Sequence, residues 1–213
     1  MFVGGGDPVK LGLVSSIARP DANITGINIL TTLLESKRFG LLREMIPNAH
    51  KIAALVNPSR AVVQGQIAEL REASAQLGVS LVIVNASTEV EFEPAFVQTS
   101  EQGAGAVQVC ADPFFFSRRG ELIALAARYR IPAIYEWRDF PEAGGLMSYG
   151  TNLADSYRQS GLYVARILKG AKPNDLPVMQ TTRFEFVINL VTAKALGLDI
   201  APTLLARADE VIE

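Results

Sequence analysis

Short runs rich in β-branched residues alternate with longer stretches of helical period, and this alternation constrains the chain more than any other feature. The runs are Ile52–Val56, Ser80–Val84, Ala106–Cys110, Ile131–Tyr135 and Leu146–Tyr149. Between them, Val63, Ile67, Leu70 and Leu77 fall on one helical face, as do Leu122, Leu125, Ala126 and Tyr129, and further on Tyr157, Val164, Ile167 and Leu168. Leu33 to Ile46 reads as another helix, stopped by Pro47. The strands are apolar throughout instead of alternating, so both of their faces are expected to be covered by helices. Strand, helix, strand, helix in this order means a parallel α/β sheet with right-handed crossovers.

The two ends fit this pattern less well. Met1-Phe2-Val3 reads as the tail of a strand that opens at once into Gly4-Gly5-Gly6-Asp7-Pro8, as if a sheet had been cut, and no secretory signal pattern precedes it. After residue 170, Pro173 and Pro177 lead to a β-rich run, Phe184–Leu190, a short helix, Thr192–Leu196, and a terminal strand, Ala208–Ile212. This tail is expected to associate with the opening segment instead of the five central strands.

Composition removes several chemistries. With 213 residues, 49% of them hydrophobic, the chain suits one large or two small domains with ample core. Its 20 basic and 22 acidic side chains leave a net charge of -2, which predicts no nucleic-acid partner. No apolar run reaches the ~18 residues of a membrane-spanning helix, so no direct membrane insertion is expected. His50 and Cys110 are the single histidine and cysteine. One copy therefore cannot form a Cys/His zinc site, a disulfide or a two-cysteine racemase pair, and a Ser-His-Asp triad would have to use His50. Cys110, inside an apolar strand, reads as a small buried hydrophobe, and His50 as a solvated loop residue. Lys37-Arg38 and Arg118-Arg119 read as helix-surface charges. Gly4-Gly5-Gly6 lacks the lysine and the spacing of a phosphate or dinucleotide loop, so nucleotide binding is not expected.

In open parallel sheets, ligands bind in the crevice outside the carboxyl ends of the strands. The residues there are Gly5-Gly6-Asp7, Asn57-Pro58-Ser59, Asn85-Ala86-Ser87, Asp112-Pro113-Phe114, Tyr135-Glu136-Trp137 and Tyr149-Gly150-Thr151-Asn152. Asn57, Ser87 and Asn152 suit helix N-caps, whose free N–H groups can hold a carboxylate. Asp7, Asp112 and Glu136 suit an ammonium group, and Phe114, Tyr135, Trp137 and Tyr149 can stack on a flat apolar body. Together these fit a small zwitterion with an apolar or aromatic side chain. The same residue types also follow strands because turns and caps require them, ligand or no ligand.

Several longer motifs carry a resemblance. Gly6-Asp7-Pro8-Val9, Ala18-Arg19-Pro20, Asn23-Ile24-Thr25-Gly26, Ala111-Asp112-Pro113-Phe114, Gly145-Leu146-Met147-Ser148-Tyr149-Gly150 and Arg166–Pro173 resemble the ABC-transporter substrate-binding proteins of the tryptophan/tyrosine uptake type. The closing Ala195–Leu198 and Leu204–Ile212 are similar to that family's C-terminus, so the resemblance runs over essentially the whole chain. It implies an α/β, type I periplasmic-binding-protein-like fold of two Rossmann-like lobes with parallel sheets. Residues 41–154 would form lobe two, and residues 1–40 and 155–213 the later part of an incomplete lobe one.

The implied activity is capture of a small solute, an amino acid and possibly an aromatic one, in an interlobe cleft, followed by delivery to a membrane permease. No catalytic residue, cofactor or metal is implied. The location implied is periplasmic, or extracellular and lipid-anchored. Carried onto this sequence, the resemblance places Asp7, Asn57, Ser59, Asp112, Phe114, Tyr135, Glu136, Tyr149 and Asn152 at the ligand. Two other readings compete: the ligand-sensing domain of a transcription regulator with the same fold, and an α/β racemase or lyase using Asp112, Glu136 and Tyr149 as acid/base groups. Lacking the opening βα units of lobe one, the 213 residues are expected to bind weakly and to aggregate or pair through uncovered sheet edges. Size-exclusion with light scattering and a binding titration check this; a monodisperse monomer with micromolar affinity would contradict it.

Overall fold

The computed structural model describes residues 1–20 and 23–213. In chain order it contains β1 (Phe2–Gly4), β2 (Gly26–Asn28), α1 (Glu35–Met45), β3 (Lys51–Val56), α2 (Val63–Leu77), β4 (Ser80–Asn85), α3 (Phe92–Glu101) and β5 (Ala106–Val109). Next come α4 (Pro113–Ser117), α5 (Arg119–Arg128), β6 (Ala133–Tyr135), α6 (Asp139–Glu142), β7 (Met147–Thr151) and α7 (Leu153–Leu168). Then follow β8 (Met179–Gln180), β9 (Phe184–Asn189), α8 (Leu190–Leu196), α9 (Pro202–Leu205) and β10 (Glu210–Ile212). All five central strands expected from the apolar runs form, within two residues of the expected bounds.

The chain divides into two compact units, Met1–Leu33 with Thr151–Phe184, and Leu34–Gly150 with Glu185–Glu213. The larger unit is built on a seven-stranded sheet of order β10-β9-β7-β6-β5-β3-β4. β3 pairs in parallel with β4 and β5, β5 with β6, and β6 with β7. From β3 the chain steps outward to β4 and then returns to the other side of β3 to lay down β5. The sheet therefore has a topological switch point between β3 and β5, where the two following loops part and leave a crevice.

Both faces of this sheet are buried, as the uniformly apolar strands require. Along β3, Ile52, Ala54 and Val56 join a core with Phe39, Leu42 and Met45 of α1 and Leu70 and Ala73 of α2. Ala53 and Leu55 point the other way, into a core with Phe92, Ala95 and Phe96 of α3 and Leu122 and Leu125 of α5. The period-2 alternation of strand side chains thus feeds two helix layers from one run of apolar residues.

The C-terminal tail differs from the sequence reading. The expectation groups residues 155–213 with the opening segment; in the structure residues 155–184 join it, whereas β9 takes its place beside β7 and β10 pairs in parallel with β9. The reason is burial: Phe186, Val187 and Ile188 are at most 3% exposed, extending the apolar sheet beyond β7.

The smaller unit holds a three-stranded sheet of order β1-β2-β8, with parallel pairings. Its helix α7 is anchored by Tyr163, which is buried and donates its hydroxyl to the Pro177 carbonyl at 3.0 Å. The helical face read from Tyr157, Val164 and Leu168 is not a core face here: these residues are 63%, 44% and 82% exposed.

One backbone conformation stands out in the larger unit. Helix α5 ends with Ile131 N–H donating to the Ala126 carbonyl at 2.9 Å and Arg130 N–H to Ala127 at 3.1 Å, which places Arg130 in the left-handed region at φ 54°. Glycine usually occupies this position. The left-handed penalty of a side chain, about 1–2 kcal/mol, exceeds the entropy cost of a glycine, about 0.5–1 kcal/mol. Arg130→Gly is therefore expected to raise stability by up to about 1 kcal/mol, read as a shifted urea midpoint with an unchanged slope.

Candidate functional site

Residues from the exits of β3, β5, β6 and β7 converge beside the switch point. After β3, Asn57 is buried, accepts a hydrogen bond from the Ser59 N–H at 3.1 Å, and donates from Nδ2 to Asp112 Oδ2 at 3.3 Å. Asp112 follows β5 as the N-cap of α4, its Oδ1 accepting from Phe114 N–H at 2.8 Å and Phe115 N–H at 3.1 Å. Pro113 at the first helical position, where no N–H is needed, explains why the turn forms here. One oxygen of the Asp112 carboxylate thus serves the helix, and the other faces Asn57 and Arg60, whose Nε lies 3.4 Å away on a half-exposed side chain.

After β6, Glu136 is 3% exposed and takes a hydrogen bond from the Asp112 main chain. Burial pushes its carboxyl well above the ordinary range; the Arg38 guanidinium opposes this, and the charges of Glu35 and Asp112 add to it. The backbone of β7 comes up against this corner at Gly150, where a Cβ would strike the Glu136 carbonyl oxygen. Glycine is required there by this close approach.

Behind these residues lies a polar cluster that sequence reasoning missed. Glu35 and Arg38, in the first turn of α1, are both fully buried and pair at 3.0 Å. Gln66 of α2 donates to Glu35 Oε1 at 2.7 Å, and Gln108 of β5 donates to Oε2 at 2.5 Å. Ala111 N–H adds a bond to Oε1 at 3.0 Å, and Arg38 reaches the Tyr149 carbonyl at 3.1 Å. Arg38 is therefore not the surface charge expected from its helix position but the centre of a buried network tying α1 to β5 and β7. One signal was available: Gln108 is a polar residue in the middle of an otherwise apolar strand, and such a residue needs a buried partner. Counted together, the buried corner holds three carboxyls, from Glu35, Asp112 and Glu136, and a single fully buried guanidinium.

The aromatic expectations divide. Phe114 is half-buried and packs on Phe92 with ring centroids 5.3 Å apart, and Tyr149 is half-buried with Phe186 at 6.4 Å. Trp137 stands edge-on to Phe116 at 4.6 Å. Tyr135 is different: it is fully buried and stacked on Phe140 at 4.3 Å, so it belongs to the core. Ser59 is exposed at the turn after β3. Asp7 and Asn152 lie in the smaller unit and both act as local caps. Asp7 Oδ1 accepts from Val9 N–H at 2.9 Å, and Asn152 Oδ1 accepts from Asp155 N–H at 2.6 Å at the start of α7. Cys110 is buried and its thiol is pushed well up, chiefly by that burial, which suits an inert core residue. His50 is exposed, as read.

A family model described as ABC transporter substrate binding protein matches residues 1–212. A Clostridioides difficile protein named tyrosine-binding protein is 25% identical over 192 residues, which cover 90% of this chain and 55% of that protein. The chain thus spans about half the length of this curated relative. Among solved structures, a conserved domain protein from Vibrio cholerae superposes with a TM-score of 0.87 at 27% identity, covering 96% of this chain and 68% of its own. An ABC domain from Streptococcus pneumonia, solved in complex with L-Trp, gives a TM-score of 0.85 at 25% identity, covering 99% of this chain and 71% of its own.

The buried carboxyl makes a pH prediction. With its pKa raised in the folded state, Glu136 holds a proton that the unfolded chain has released, so its contribution to stability is complete below the unfolded value of about 4.3. It is lost as pH rises towards the folded value. Glu136→Gln is expected to flatten this decline and to be more stable than the parent at neutral pH, checked by urea unfolding across the pH range.

Proposed function

The chain belongs to the ABC transporter substrate-binding protein family, and from that premise we propose that it captures an amino acid with an apolar or aromatic side chain for a membrane permease. The observation that carries the proposal is the pair of carboxyls, Asp112 and Glu136, that the strand exits bring together. Asp112 and Glu136 lie together at the switch point; Arg38 is committed to Glu35, Asp112 is met by the half-exposed Arg60 at 3.4 Å, and burial favours the protonated form of Glu136. The contact to Arg60 is at the outer edge of ion-pair range and solvent-exposed, so the α-ammonium group of an amino acid has a carboxylate to engage at Asp112 and a buried carboxyl to ionise at Glu136.

Asn57 holds the Asp112 carboxylate in place, and Arg60, half-exposed and 3.4 Å from Asp112, exchanges that contact for the solute carboxylate. Phe114 and Tyr149 offer partly exposed ring faces for the side chain, and Ser59 a hydroxyl at the rim. Asp7 and Asn152 are left to their capping roles. Binding makes and breaks no covalent bond, and the residues do their work by being held in position before the solute arrives. The location that goes with this function is outside the cytoplasmic membrane, periplasmic or extracellular. No helix among the described residues is long and apolar enough to cross a membrane. The Tyr and Trp in the names of the related proteins agree with a flat side chain.

Titration calorimetry with L-tryptophan, L-tyrosine and L-leucine tests the proposal. Loss of a charge-assisted hydrogen bond, about 1.5–3 kcal/mol, predicts that Asp112→Asn weakens binding roughly 10- to 100-fold. An incoming ammonium also draws the proton from Glu136. Binding heats measured in buffers of different ionisation enthalpy are therefore expected to show proton release in the parent and none in Glu136→Gln. Unchanged affinity in Asp112→Asn would refute this placement of the ammonium group.

A further inference from the structure

The smaller unit carries most of the apolar surface that the chain leaves in water. Of thirteen large apolar side chains exposed among the described residues, ten lie in this unit, which holds under a third of the chain. The most regular part of that surface is on α7, where Ala154, Tyr157, Gly161, Val164 and Leu168 are all exposed. Their spacing of three, four, three and four is that of the seam in a two-helix coil. We propose that this seam is a homodimer interface, in which α7 packs antiparallel against α7 of a second copy of the chain.

Nothing within the unit accounts for the seam. A surface helix normally buries its apolar stripe and leaves its polar side in water. Here α7 turns inwards a face of Ser156, Ser160, Tyr163 and Ile167, and the Ser160 hydroxyl is spent on the Ser156 carbonyl at 3.0 Å. The more apolar side is the one left outside. Gly161 is a second, independent sign. Glycine inside a helix is unfavourable relative to alanine, and a Cβ placed there would meet nothing within 4 Å, so no neighbour in the chain requires it. It leaves a notch in the middle of the seam, through which another helix can approach closely.

Symmetry identifies the occupant. Reversing the order of Tyr157, Gly161, Val164 and Leu168 reproduces their spacing of four, three and four. A two-fold axis therefore sets Val164 of each copy into the Gly161 notch of the other, and Tyr157 of each against Leu168 of the other. The seam carries no charge, and the arginines that flank it are occupied: Arg158 pairs with Asp155 at 2.8 Å, and Arg166 lies over the Tyr163 ring at 5.8 Å. Two copies thus meet with an uncharged contact and with opposed helix dipoles. Covering the seam on both copies removes on the order of 1,000 Å² from water, the lower limit of a specific interface, so the dimer is of moderate strength.

The test is sedimentation equilibrium of the full chain over a concentration series. A reversible monomer–dimer equilibrium with a Kd of about 10–100 µM is expected, unchanged or strengthened by added salt because the contact is apolar. Leu168→Glu, at an exposed position where the monomer tolerates a charge, is expected to weaken association roughly tenfold or more. Gly161→Leu fills the notch. It is expected to raise the urea midpoint through its better helix propensity and yet to weaken association to a similar extent, two shifts that a general loss of structure would not produce together. Cysteine crosslinking reads the register. A mixture of Tyr157→Cys and Leu168→Cys proteins is expected to form a disulfide dimer under mild oxidation and neither protein alone, the native Cys110 being buried. A parent that stays monomeric at about 500 µM, association that survives Leu168→Glu as pairing through a sheet edge would, association lost in salt, or crosslinking of either cysteine variant by itself would each overturn the proposal.

Discussion

The fully buried pair of Glu35 and Arg38, 3.0 Å apart, is the interaction on which the strand-exit edge of the larger unit depends. A pair taken out of water is stable only if every remaining donor and acceptor is met, and removing one partner strands a charge at about 3–5 kcal/mol. Here the carboxylate of Glu35 takes bonds from Gln66, Gln108 and the Ala111 N–H, and Arg38 passes on to the Tyr149 carbonyl. Four elements that meet nowhere in sequence, α1, α2, β5 and β7, are thereby locked to one another at the exit end of the sheet. The strand-exit residues are held from behind by this network.

The same pair shapes the electrostatics in front of it. Arg38 is the one fully buried cation near three carboxyls, and its guanidinium already serves Glu35. Glu136 is left with little compensation, so burial dominates and raises its pKa.

Much of the candidate site is legible along the chain, because the rule that ligands gather at strand exits needs only the strand ends to be known. Asn57, Asp112, Glu136 and Tyr149 came from that rule, and the Asp112-Pro113 step identified its own helix start. Tyr135 was misplaced because a strand of three residues does not say which side of the sheet its last ring faces; in the structure that ring is stacked on Phe140. Glu35, Arg38 and Gln66 were invisible because helical periodicity reports which face is apolar, and a paired charge on a buried face looks like an irregularity. The stripe on α7 erred in the opposite sense: its period was right, but period alone does not supply a partner, and Tyr157 and Leu168 remain exposed.

Local sequence alone determined the strands, most of the helices and the parallel α/β class, because β-branched runs, caps and proline stops act through the nearest few residues. It also determined what the chain cannot do with one cysteine and one histidine. Tertiary structure decided which strands share a sheet, bringing β9 beside β7 and β10 beside β9, and which charges are buried together. Those outcomes depend on packing between residues far apart in the chain, such as Glu35 with Gln108 and Asn57 with Asp112. Desolvation and pairing energies there exceed any local preference, and no local pattern records them.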